Sequence, residues 1–511
     1  MPAYGLPTMP NRRCQFVIAL LCLCLPMHVA IASATIEQRL RQATQAADLK
    51  DTQVAIMVMD LDSRKVLAAI DADQPVIPAS NMKLITTAAA LDMLGPDFAF
   101  QTTLALVNNV QPGERPSLLI KGDGDPAFGD PVLLQLHELT IEDLLDHWVN
   151  AVLNTPHRHF AQLLVDDHVF DDQFVHDTWP ENQLHRGYAA QVAGLNFHQN
   201  VVHVMLIPSR EPGQAVSARL FPESSYMRTI NRATTGSRHE YWVDRRIGGN
   251  DLVFGGSVRE TPPAPVAVTV HDPPLFLAHV LKRRFEQAGI TIDAIQRAAP
   301  QASTDELQPL HVVRTLLPAV LDRTNQDSQN LFAEALLKRL GHAMTAAPGS
   351  WDNGSAAVRL ALRNRLGPGS AVVQVADGSG LSRENRVTAR LMVQLLQSLH
   401  DDDDPQRYQL FQNSLATAGQ DGTLSTRMAN LQSTIHAKSG YIHSVSALSG
   451  YILLPTDDDQ PQRTIAFSFI FNGFQPPHSN AQMRRLQDSF IRIIEAELLA
   501  QRDASPADAH R

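Results

Sequence analysis

Three short segments of the chain combine hydroxyl, amine and amide side chains at close spacing. A serine hydroxyl attacks a carbonyl carbon once a neighbouring base accepts its proton. A lysine can be that base only when its pKa falls well below its usual value of about 10.4, because otherwise the amine stays protonated at neutral pH. These residue types predict acyl transfer to a nucleophilic serine. The segments contain Ser80 with Lys83, Ser328 with Asn330, and the run Lys438, Ser439, Gly440 and Tyr441.

The first pair lies where a helix is expected to begin. The Ala-rich segment 86–94 favours helix and Gly95 with Pro96 ends it, while Ser80 suits the first turn. A helix that begins at Ser80 brings Lys83 onto the same face, about 5 to 6 Å away. Burial and the positive end of the helix would both lower the pKa of Lys83. A helix cap followed by a surface lysine is the plain structural alternative.

The other two motifs also stand at predicted element boundaries. Ser328 and Asn330 open a helix expected to reach about Leu340, where the same residues can also act as simple caps. Lys438 comes before the alternating segment 445–452, which predicts a strand. A cation and a hydroxyl at a strand edge suit a substrate carboxylate beside a peptide backbone. A solvated lysine at a strand end fits the same pattern.

The order of the three motifs carries more information than any one of them. Ser-x-x-Lys, Ser-x-Asn and Lys-Ser-Gly follow one another as in penicillin-binding proteins and serine β-lactamases. The chain resembles one branch of these enzymes, the D-alanyl-D-alanine carboxypeptidase/endopeptidase family of the penicillin-binding protein 4 type, peptidase family S13. The separation of 245 positions between Lys83 and Ser328 distinguishes this family from single-domain β-lactamases, whose second motif follows much sooner. Further support comes from the segments 78–80, 124–126, 377–383 and 419–424.

The resemblance implies an α/β (α+β) fold of the kind found in penicillin-binding proteins and serine β-lactamases. In this transpeptidase fold an antiparallel sheet is flanked by helices, and a large, mainly β insertion separates the first and second motifs. The predicted organisation is a signal peptide at 1–32, a transpeptidase-like domain at 33–104 and 265–503, inserted accessory domains at 105–264, and a polar tail at 504–511. The sequence pattern adds a hairpin at 54–60 and 66–69, strands at 445–454 and 464–472, and a core helix at 484–499.

The resemblance also implies a role for each motif residue. The catalytic group comprises the nucleophile Ser80, its base Lys83, the proton relay Ser328, and Asn330, which holds Lys83 and the substrate amide. The substrate-binding group comprises Lys438 and Ser439 for the substrate carboxylate, Gly440 for close approach, and Tyr441, whose backbone N–H forms an oxyanion hole with that of Ser80. Lys438 is expected to lower the pKa of Lys83 further, and to keep its own charge because it faces the substrate carboxylate. Ser439 stands where Thr is common in the family and keeps the hydroxyl.

The implied function is hydrolysis of D-Ala-D-Ala bonds in peptidoglycan stem peptides through a serine ester. The expected partners are peptidoglycan peptides that end in D-Ala or are cross-linked through it, with β-lactams as covalent inhibitors, and no cofactor is expected. Two alternatives stay open. One is a β-lactamase or esterase of the same fold, and the other is a non-catalytic peptidoglycan-binding scaffold.

Composition and charge limit the domain organisation, the partners and the location expected of the chain. With 511 residues, of which 44% are hydrophobic and 19% charged, the chain is expected to form at least two globular domains. A net charge of -10 without a Lys/Arg block argues against nucleic acid or an anionic membrane surface as a partner. Arg12 and Arg13 before the apolar segment 16–25 predict a signal peptide, and therefore export to the periplasm without an integral membrane segment after cleavage. A membrane anchor is the alternative, but this segment is shorter than the roughly 20 residues that a spanning helix needs.

Two groups of residues in the sequence could in principle bind a metal ion. All cysteines lie in the predicted signal peptide, so the mature chain would have neither disulfides nor thiolate metal sites; they are Cys14, Cys22 and Cys24. A second group of possible ligands matches no known ligand spacing, so a solvated loop is expected and no metal is assigned. That group comprises Asp166, Asp167, His168, Asp171 and Asp172, with His157 and His159 nearby.

Overall fold

The computed structural model describes residues 34–107, 115–299, 307–455 and 462–504. The predicted signal peptide with its three cysteines, and nearly all of the predicted polar tail, lie outside the described residues. From Ile36 onward the chain folds as one unit. Within the described ranges, no helix combines the length and the apolar character needed to cross a bilayer.

The elements alternate between helices and strands along most of the chain. The helices are α1 (Ile36–Ala46), α2 (Met82–Leu94), α3 (Pro131–Leu136), α4 (Ile141–Leu153), α5 (Pro273–Gln287), α6 (Leu317–Asn325), α7 (Asn330–Thr345), α8 (Trp351–Leu366), α9 (Ala389–His400), α10 (Pro405–Asn413) and α11 (Asn480–Ala504). The strands are β1 (Gln53–Asp60), β2 (Val66–Ile70), β3 (Ala99–Val107), β4 (Ser117–Gly122), β5 (His159–Asp166), β6 (Val201–Ile207), β7 (Ser217–Phe221), β8 (Arg228–Thr235), β9 (Glu240–Arg245), β10 (Asp251–Val258), β11 (Val266–Thr269), β12 (Thr291–Arg297), β13 (Leu307–Leu316), β14 (Ala416–Thr417), β15 (Thr434–Ile442), β16 (Val445–Leu453) and β17 (Thr464–Asn472).

A six-stranded antiparallel sheet joins the two ends of the described chain. Its strand order is β14-β15-β16-β17-β1-β2, so strands from residues 53–70 lie beside strands from residues 416–472. Strands β16 and β17 are buried along their whole length, because helices cover both faces of the sheet. The predicted hairpin and the two predicted strands are confirmed within one residue of their bounds.

Alternate side chains of the central strands enter two different cores. Ile56 and Val58 of β1 pack with α1 and with Ile494 of α11 on one face. Ala55 and Met57 pack on the other face in the core shared by α2, α7, α8 and α9. This period of two is what a strand buried on both faces requires. Helix α11 contains the predicted core helix at 484–499 and packs on the sheet as predicted.

The remaining strands form three smaller sheets over a separate hydrophobic core. A five-stranded sheet has the order β12-β5-β4-β3-β13 and contains the parallel pairs β12–β5 and β4–β5. Two three-stranded sheets have the orders β8-β10-β9 and β11-β6-β7. Strands β3 and β13 pair with each other although β3 begins before residue 105 and β13 follows residue 265. The domain boundaries at 104/105 and 264/265 stay a prediction.

Candidate active site

The first motif lies at the junction between a tight turn and helix α2. Ala79–Asn81 form one turn of 3-10 helix, and α2 begins at Met82. The α-helix therefore begins two residues after the expected start at Ser80, which lies in the 3-10 turn, and Ala79 just before it has a left-handed φ of +46°. Lys83 still falls on the same side as Ser80, and their Nζ and Oγ atoms lie 3.1 Å apart.

The second motif lies at the start of helix α7. The segment 326–329 connects α6 to α7, and α7 begins at Asn330 and extends to Thr345, beyond the expected end near Leu340. Ser328 has a left-handed φ of +61°, so this serine projects from the connection rather than from the helix. Asn330 Oδ1 accepts a hydrogen bond from Lys83 Nζ at 2.6 Å, which joins the first two motifs.

The third motif lies inside a strand rather than before one. Lys438, Ser439 and Gly440 belong to β15, which forms a hairpin with β16. The alternation at 445–452 predicted only the second strand of this hairpin. Lys438 Nζ donates to Ser328 Oγ at 2.8 Å, which joins the third motif to the second.

Lys83 is fully buried, and its surroundings determine its proton affinity. Its Nζ lies 2.9 Å from the backbone oxygen of Ser379, in addition to its contacts with Ser80 and Asn330. Burial lowers the pKa of Lys83 to about 7, while the carboxylates of Glu334 and Asp377 oppose that fall. A base with a pKa near neutrality can accept the serine proton without staying protonated itself.

Lys438 is also fully buried, and it lies near the amine of Lys83. Burial first, and then the charge of Lys83, lower the pKa of Lys438 well below its usual value, and Asp327 opposes them. The repulsion between the two amines thus lowers the proton affinity of Lys438, and the expectation that Lys438 keeps its charge beside a substrate carboxylate and lowers the pKa of Lys83 stays a prediction. A substrate carboxylate beside Lys438 would raise its pKa again.

Strand β15 passes very close to the nucleophile. A Cβ atom added at Gly440 would lie 3.1 Å from the backbone nitrogen of Ser80, so glycine permits this approach. The buried side-chain amide of Asn81 bonds both strands of the hairpin: its nitrogen faces the Lys438 carbonyl at 3.0 Å and its oxygen faces the Ser449 backbone nitrogen at 3.2 Å. The turn that carries Ser80 is therefore fixed against the strand that carries Lys438.

A cavity of about 870 Å³ opens at Ser80. Four of the predicted residues line it, namely Ser80, Ser328, Asn330 and Tyr441. The other residues that line the cavity had no predicted role; they are Thr178, Pro180, Gln183, Tyr188, Gly380, Leu381, Arg383, Glu384, Ile442 and His443. The segments 377–383 and 419–424 supported the family resemblance, and this signal could have indicated Ser379 and also Thr423, whose Oγ1 accepts from Ser439 Oγ at 2.8 Å. The lining segment 178–188, between β5 and β6, has no such motif.

The acidic cluster at 166–172 is not the expected solvated loop. Asp171 accepts a hydrogen bond at 2.6 Å from Lys338 Nζ, which is fully buried and lies 3.8 Å from the ring centre of Trp351. Asp167 is buried and pairs with Arg297. Asp167 is thus buried in an ion pair, and Asp171, which stays partly exposed, neutralises a cation that could not otherwise leave water. Within the described ranges, no group of three or more His, Cys, Asp or Glu side chains is placed to share a metal ion.

Comparisons with known proteins agree with this arrangement. The family described as "D-Ala-D-Ala carboxypeptidase 3 (S13) family" matches residues 36–495. The chain is 31% identical over 462 residues to the D-alanyl-D-alanine carboxypeptidase of Actinomadura sp. (strain R39), covering 86% of this chain and 81% of that protein.

Solved structures agree at the level of the fold. The crystal structure of penicillin binding protein 4 (dacB) from Haemophilus influenzae superposes with a TM-score of 0.73 at 20% identity, covering 89% of this chain and 99% of the other. The same protein complexed with a novel β-lactam superposes with a TM-score of 0.68 at 20% identity and the same coverage. These matches confirm the predicted penicillin-binding-protein fold.

The match to the family extends well beyond the three motifs. It covers both parts of the six-stranded sheet and the whole region between the first and second motifs. The prediction of a serine-type D-Ala-D-Ala carboxypeptidase is confirmed at the level of the family and of the named relative. The chain therefore belongs to the D-Ala-D-Ala carboxypeptidase 3 (S13) family.

Proposed function

We propose that this site hydrolyses D-Ala-D-Ala bonds of peptidoglycan stem peptides through an acyl-enzyme on Ser80. The observation that carries the proposal is the 3.1 Å contact between Ser80 Oγ and Lys83 Nζ. Because the pKa of Lys83 is lowered to about 7, much of this amine is neutral at neutral pH. Ser80 also faces a cavity large enough to hold the end of a peptide.

Acylation begins with attack of Ser80 Oγ on the scissile carbonyl carbon while Lys83 Nζ accepts the hydroxyl proton. Asn330 Oδ1 keeps Lys83 directed at the serine. The backbone N–H groups of Ser80 and Tyr441 stabilise the oxyanion, each by about 3 kcal/mol in comparable sites. The close passage of β15 at Gly440 supports this assignment, since it brings the strand against the Ser80 nitrogen.

Departure of the leaving D-alanine requires a proton on its nitrogen. Ser328 Oγ relays to this nitrogen the proton that Lys83 took from Ser80, which leaves Lys83 neutral again, and the hydrogen bond from Lys438 holds the Ser328 hydroxyl in place. Water then attacks the ester with Lys83 acting again as the base. The products are free D-alanine and a shortened peptide, so bonds and protons balance without a cofactor.

Lys438 and Ser439 recognise the carboxylate of the terminal D-alanine. The substrate anion favours the charged form of Lys438, because an opposite charge beside a buried amine raises its pKa. Ser439 Oγ, which donates to Thr423 in the free site, adds a hydrogen bond to the same carboxylate. β-Lactams carry an equivalent carboxylate and a strained amide, and we propose that they acylate Ser80 and leave slowly. The related H. influenzae protein has been crystallised with a β-lactam.

The location follows from the substrate. Peptidoglycan lies outside the cytoplasmic membrane, and we propose that the segment 1–32 directs the chain to the periplasm as a cleaved signal peptide. Peptides that end in D-Ala and peptides cross-linked through D-Ala present the same bond beside a carboxylate, so both belong to the proposed substrate class. Digestion of purified monomeric and cross-linked muropeptides measures the ratio of carboxypeptidase to endopeptidase activity.

A labelled penicillin tests the proposal directly. We expect the wild type to become covalently labelled on Ser80, the Ser80→Ala variant to remain unlabelled, and the control Ser398→Ala, in α9, to be labelled like the wild type. Folded wild type without label would contradict the proposal and favour a non-catalytic scaffold. D-alanine release from a pentapeptide should also exceed penicillin hydrolysis, and the reverse ranking would indicate a β-lactamase.

A further inference from the structure

Two buried carboxylates lie behind Lys83 and outside the cavity. Glu334 follows Asn330 by one turn of α7, and Asp377 lies in the loop before α9. Both side chains are fully buried. Neither carboxylate has a role in the chemical steps described above, although a buried carboxylate is costly unless its partners compensate for the lost water.

The hydrogen bonds of Glu334 favour its ionised form and oppose burial and the charge of Asp377, which together raise the pKa of Glu334 to about 7. Its Oε1 accepts from the backbone nitrogen of Ser379 at 2.8 Å, and its Oε2 accepts from the backbone nitrogen of Gly378 and from Trp351 Nε1, both at 2.9 Å. All three partners are N–H donors. The carboxylate accepts from all of them, whereas a protonated carboxyl group would be a weaker acceptor, so these donors stabilise the ionised form.

Asp377 stabilises the same loop by accepting hydrogen bonds from residues of the loop itself. Its Oδ1 accepts from Gly380 N at 2.8 Å and from Asn385 Nδ2 at 2.7 Å. Its Oδ2 accepts from Ser382 N at 2.6 Å and from Trp179 Nε1 at 2.9 Å. Asp377 therefore shapes the loop locally, whereas Glu334 attaches the loop to the helix that begins with Asn330.

This loop places the Ser379 carbonyl beside Lys83, the proposed base. The Ser379 backbone nitrogen bonds to Glu334, and the Ser379 backbone oxygen lies 2.9 Å from Lys83 Nζ. Thr86 Oγ1, one turn further along α2, donates to the neighbouring Gly378 oxygen at 2.8 Å. Glu334 of α7 thus sets the position of the Ser379 carbonyl, which contacts Lys83 of α2.

The same carboxylate also balances the charge of the base. A fully buried amine with no anion nearby loses its proton so readily that it becomes too weak a base. Glu334 and Asp377 both raise the pKa of Lys83 against the effect of burial. Lys438 of β15 is the cation that faces Lys83, and Lys338 of α7, paired with Asp171, is the cation that faces Glu334.

We propose that Glu334 is a positioning residue that holds the Ser379 carbonyl against Lys83 and supplies the negative charge that keeps this lysine able to accept the proton of Ser80. The inference rests on the proposed function of Lys83 as the base. It adds to that function a residue that touches neither the substrate nor the nucleophile.

The Glu334→Gln variant tests the proposal through the pH dependence of acylation by a labelled penicillin. Acylation should increase with pH as Lys83 loses its proton. Removal of the negative charge makes the protonated lysine less favourable, so the midpoint of the increase should move to lower pH by about one unit or more. The maximal rate should also fall, because an amide cannot accept from all three N–H donors. In Glu334→Asp, which keeps the charge, the midpoint should stay within about half a unit of the wild type while the rate falls.

Two further variants make the test decisive. Glu495→Gln in α11 neutralises another buried carboxylate, which accepts from the Ser433 nitrogen at 2.6 Å, and should leave the midpoint unchanged. If Glu334→Gln does not fold, Trp351→Phe removes one donor to the carboxylate, weakens its charge near neutral pH and should move the midpoint in the same direction. Folded variants with slower acylation and an unchanged midpoint would overturn the proposal, leaving Glu334 a purely structural residue. Absence of any label on the wild type would instead contradict the proposed function itself.

Discussion

The side-chain amide of Asn330 bonds in two directions at once: Nδ2 donates to the backbone oxygen of Tyr188 at 2.7 Å, and Oδ1 accepts from Lys83 Nζ at 2.6 Å. The carbonyl of Tyr188 therefore fixes which end of the amide faces the base. Tyr188 lies in the segment between β5 and β6, far from the three motifs in sequence. The region between the first and second motifs thus contributes directly to the geometry of the site.

The Asn330→Asp variant should disturb both of these contacts. A carboxylate oxygen would face the Tyr188 carbonyl, where two acceptors repel, and a negative charge would lie beside Lys83. An adjacent opposite charge raises the pKa of a lysine by about one to three units, so the midpoint of the pH dependence of penicillin acylation should move upward. At pH 7 the rate should therefore fall about tenfold or more. The surface substitution Asn150→Asp adds the same charge elsewhere and should change neither quantity; an Asn330→Asp midpoint equal to that of the wild type would contradict the prediction.

The Lys83→Met variant should lose acylation and change the pH dependence of stability. Loss of a general base costs about a hundredfold to ten-thousandfold in rate. The pKa of Lys83 is about 7 in the fold and about 10.4 in the unfolded chain, so between these values the unfolded state binds more protons. The free energy of unfolding of the wild type should then increase with pH from about 7 to about 10, relative to that of Lys83→Met. Urea unfolding at pH 6, 8 and 10 measures the difference, and parallel curves for the two proteins would contradict the prediction.

Local patterns predicted the elements whose causes are local. The hairpin of β1 and β2 was predicted at 54–60 and 66–69, and in its turn Asp60 Oδ1 accepts from the Asp62 and Ser63 nitrogens while Arg64 adopts a φ of +59°. Strand β17 and helix α11 likewise followed from their side-chain periodicity. The meeting of the motif residues was predicted from their order and spacing, which are those of a known family. A single sequence does not itself display the long-range contacts that bring these residues together.

The features that were missed depend on contacts between distant segments. The left-handed Ala79, which precedes the nucleophile, lies against Gly380, some three hundred positions away in the chain. The contact of Tyr188 with Asn330 uses a backbone oxygen, which any residue could supply, so no side-chain motif identifies it. The low pKa of Lys438 follows from complete burial beside a second amine, and the sequence does not reveal burial at one position of a strand.

The Lys438→Met variant should discriminate between substrates with and without a terminal carboxylate. Removal of one partner of a buried charge pair costs about 2–5 kcal/mol, which is a loss of at least thirtyfold in kcat/KM for a peptide ending in free D-alanine. The matching peptide amide lacks the carboxylate and should lose much less. The measurement is the ratio of kcat/KM values for acid and amide in the wild type and the variant. An unchanged ratio would show that Lys438 does not bind the carboxylate.

Two glycines offer a matched test of how tightly the nucleophile is held. Gly380 and Gly95 share the same φ of +83°, so alanine at either position costs about 1–3 kcal/mol through backbone strain alone. A Cβ at Gly380 would also lie 1.8 Å from the Ala79 oxygen, next to Ser80, whereas a Cβ at Gly95 would meet nothing within 4 Å. Gly380→Ala must therefore displace the turn that carries the nucleophile, and it should lower both the free energy of unfolding and the rate of penicillin acylation more than Gly95→Ala does. Gly95→Ala should retain the acylation rate of the wild type. Equal effects of the two substitutions in urea unfolding and acylation would show that the turn at Ser80 adapts freely and that the contact with Gly380 does not position the nucleophile.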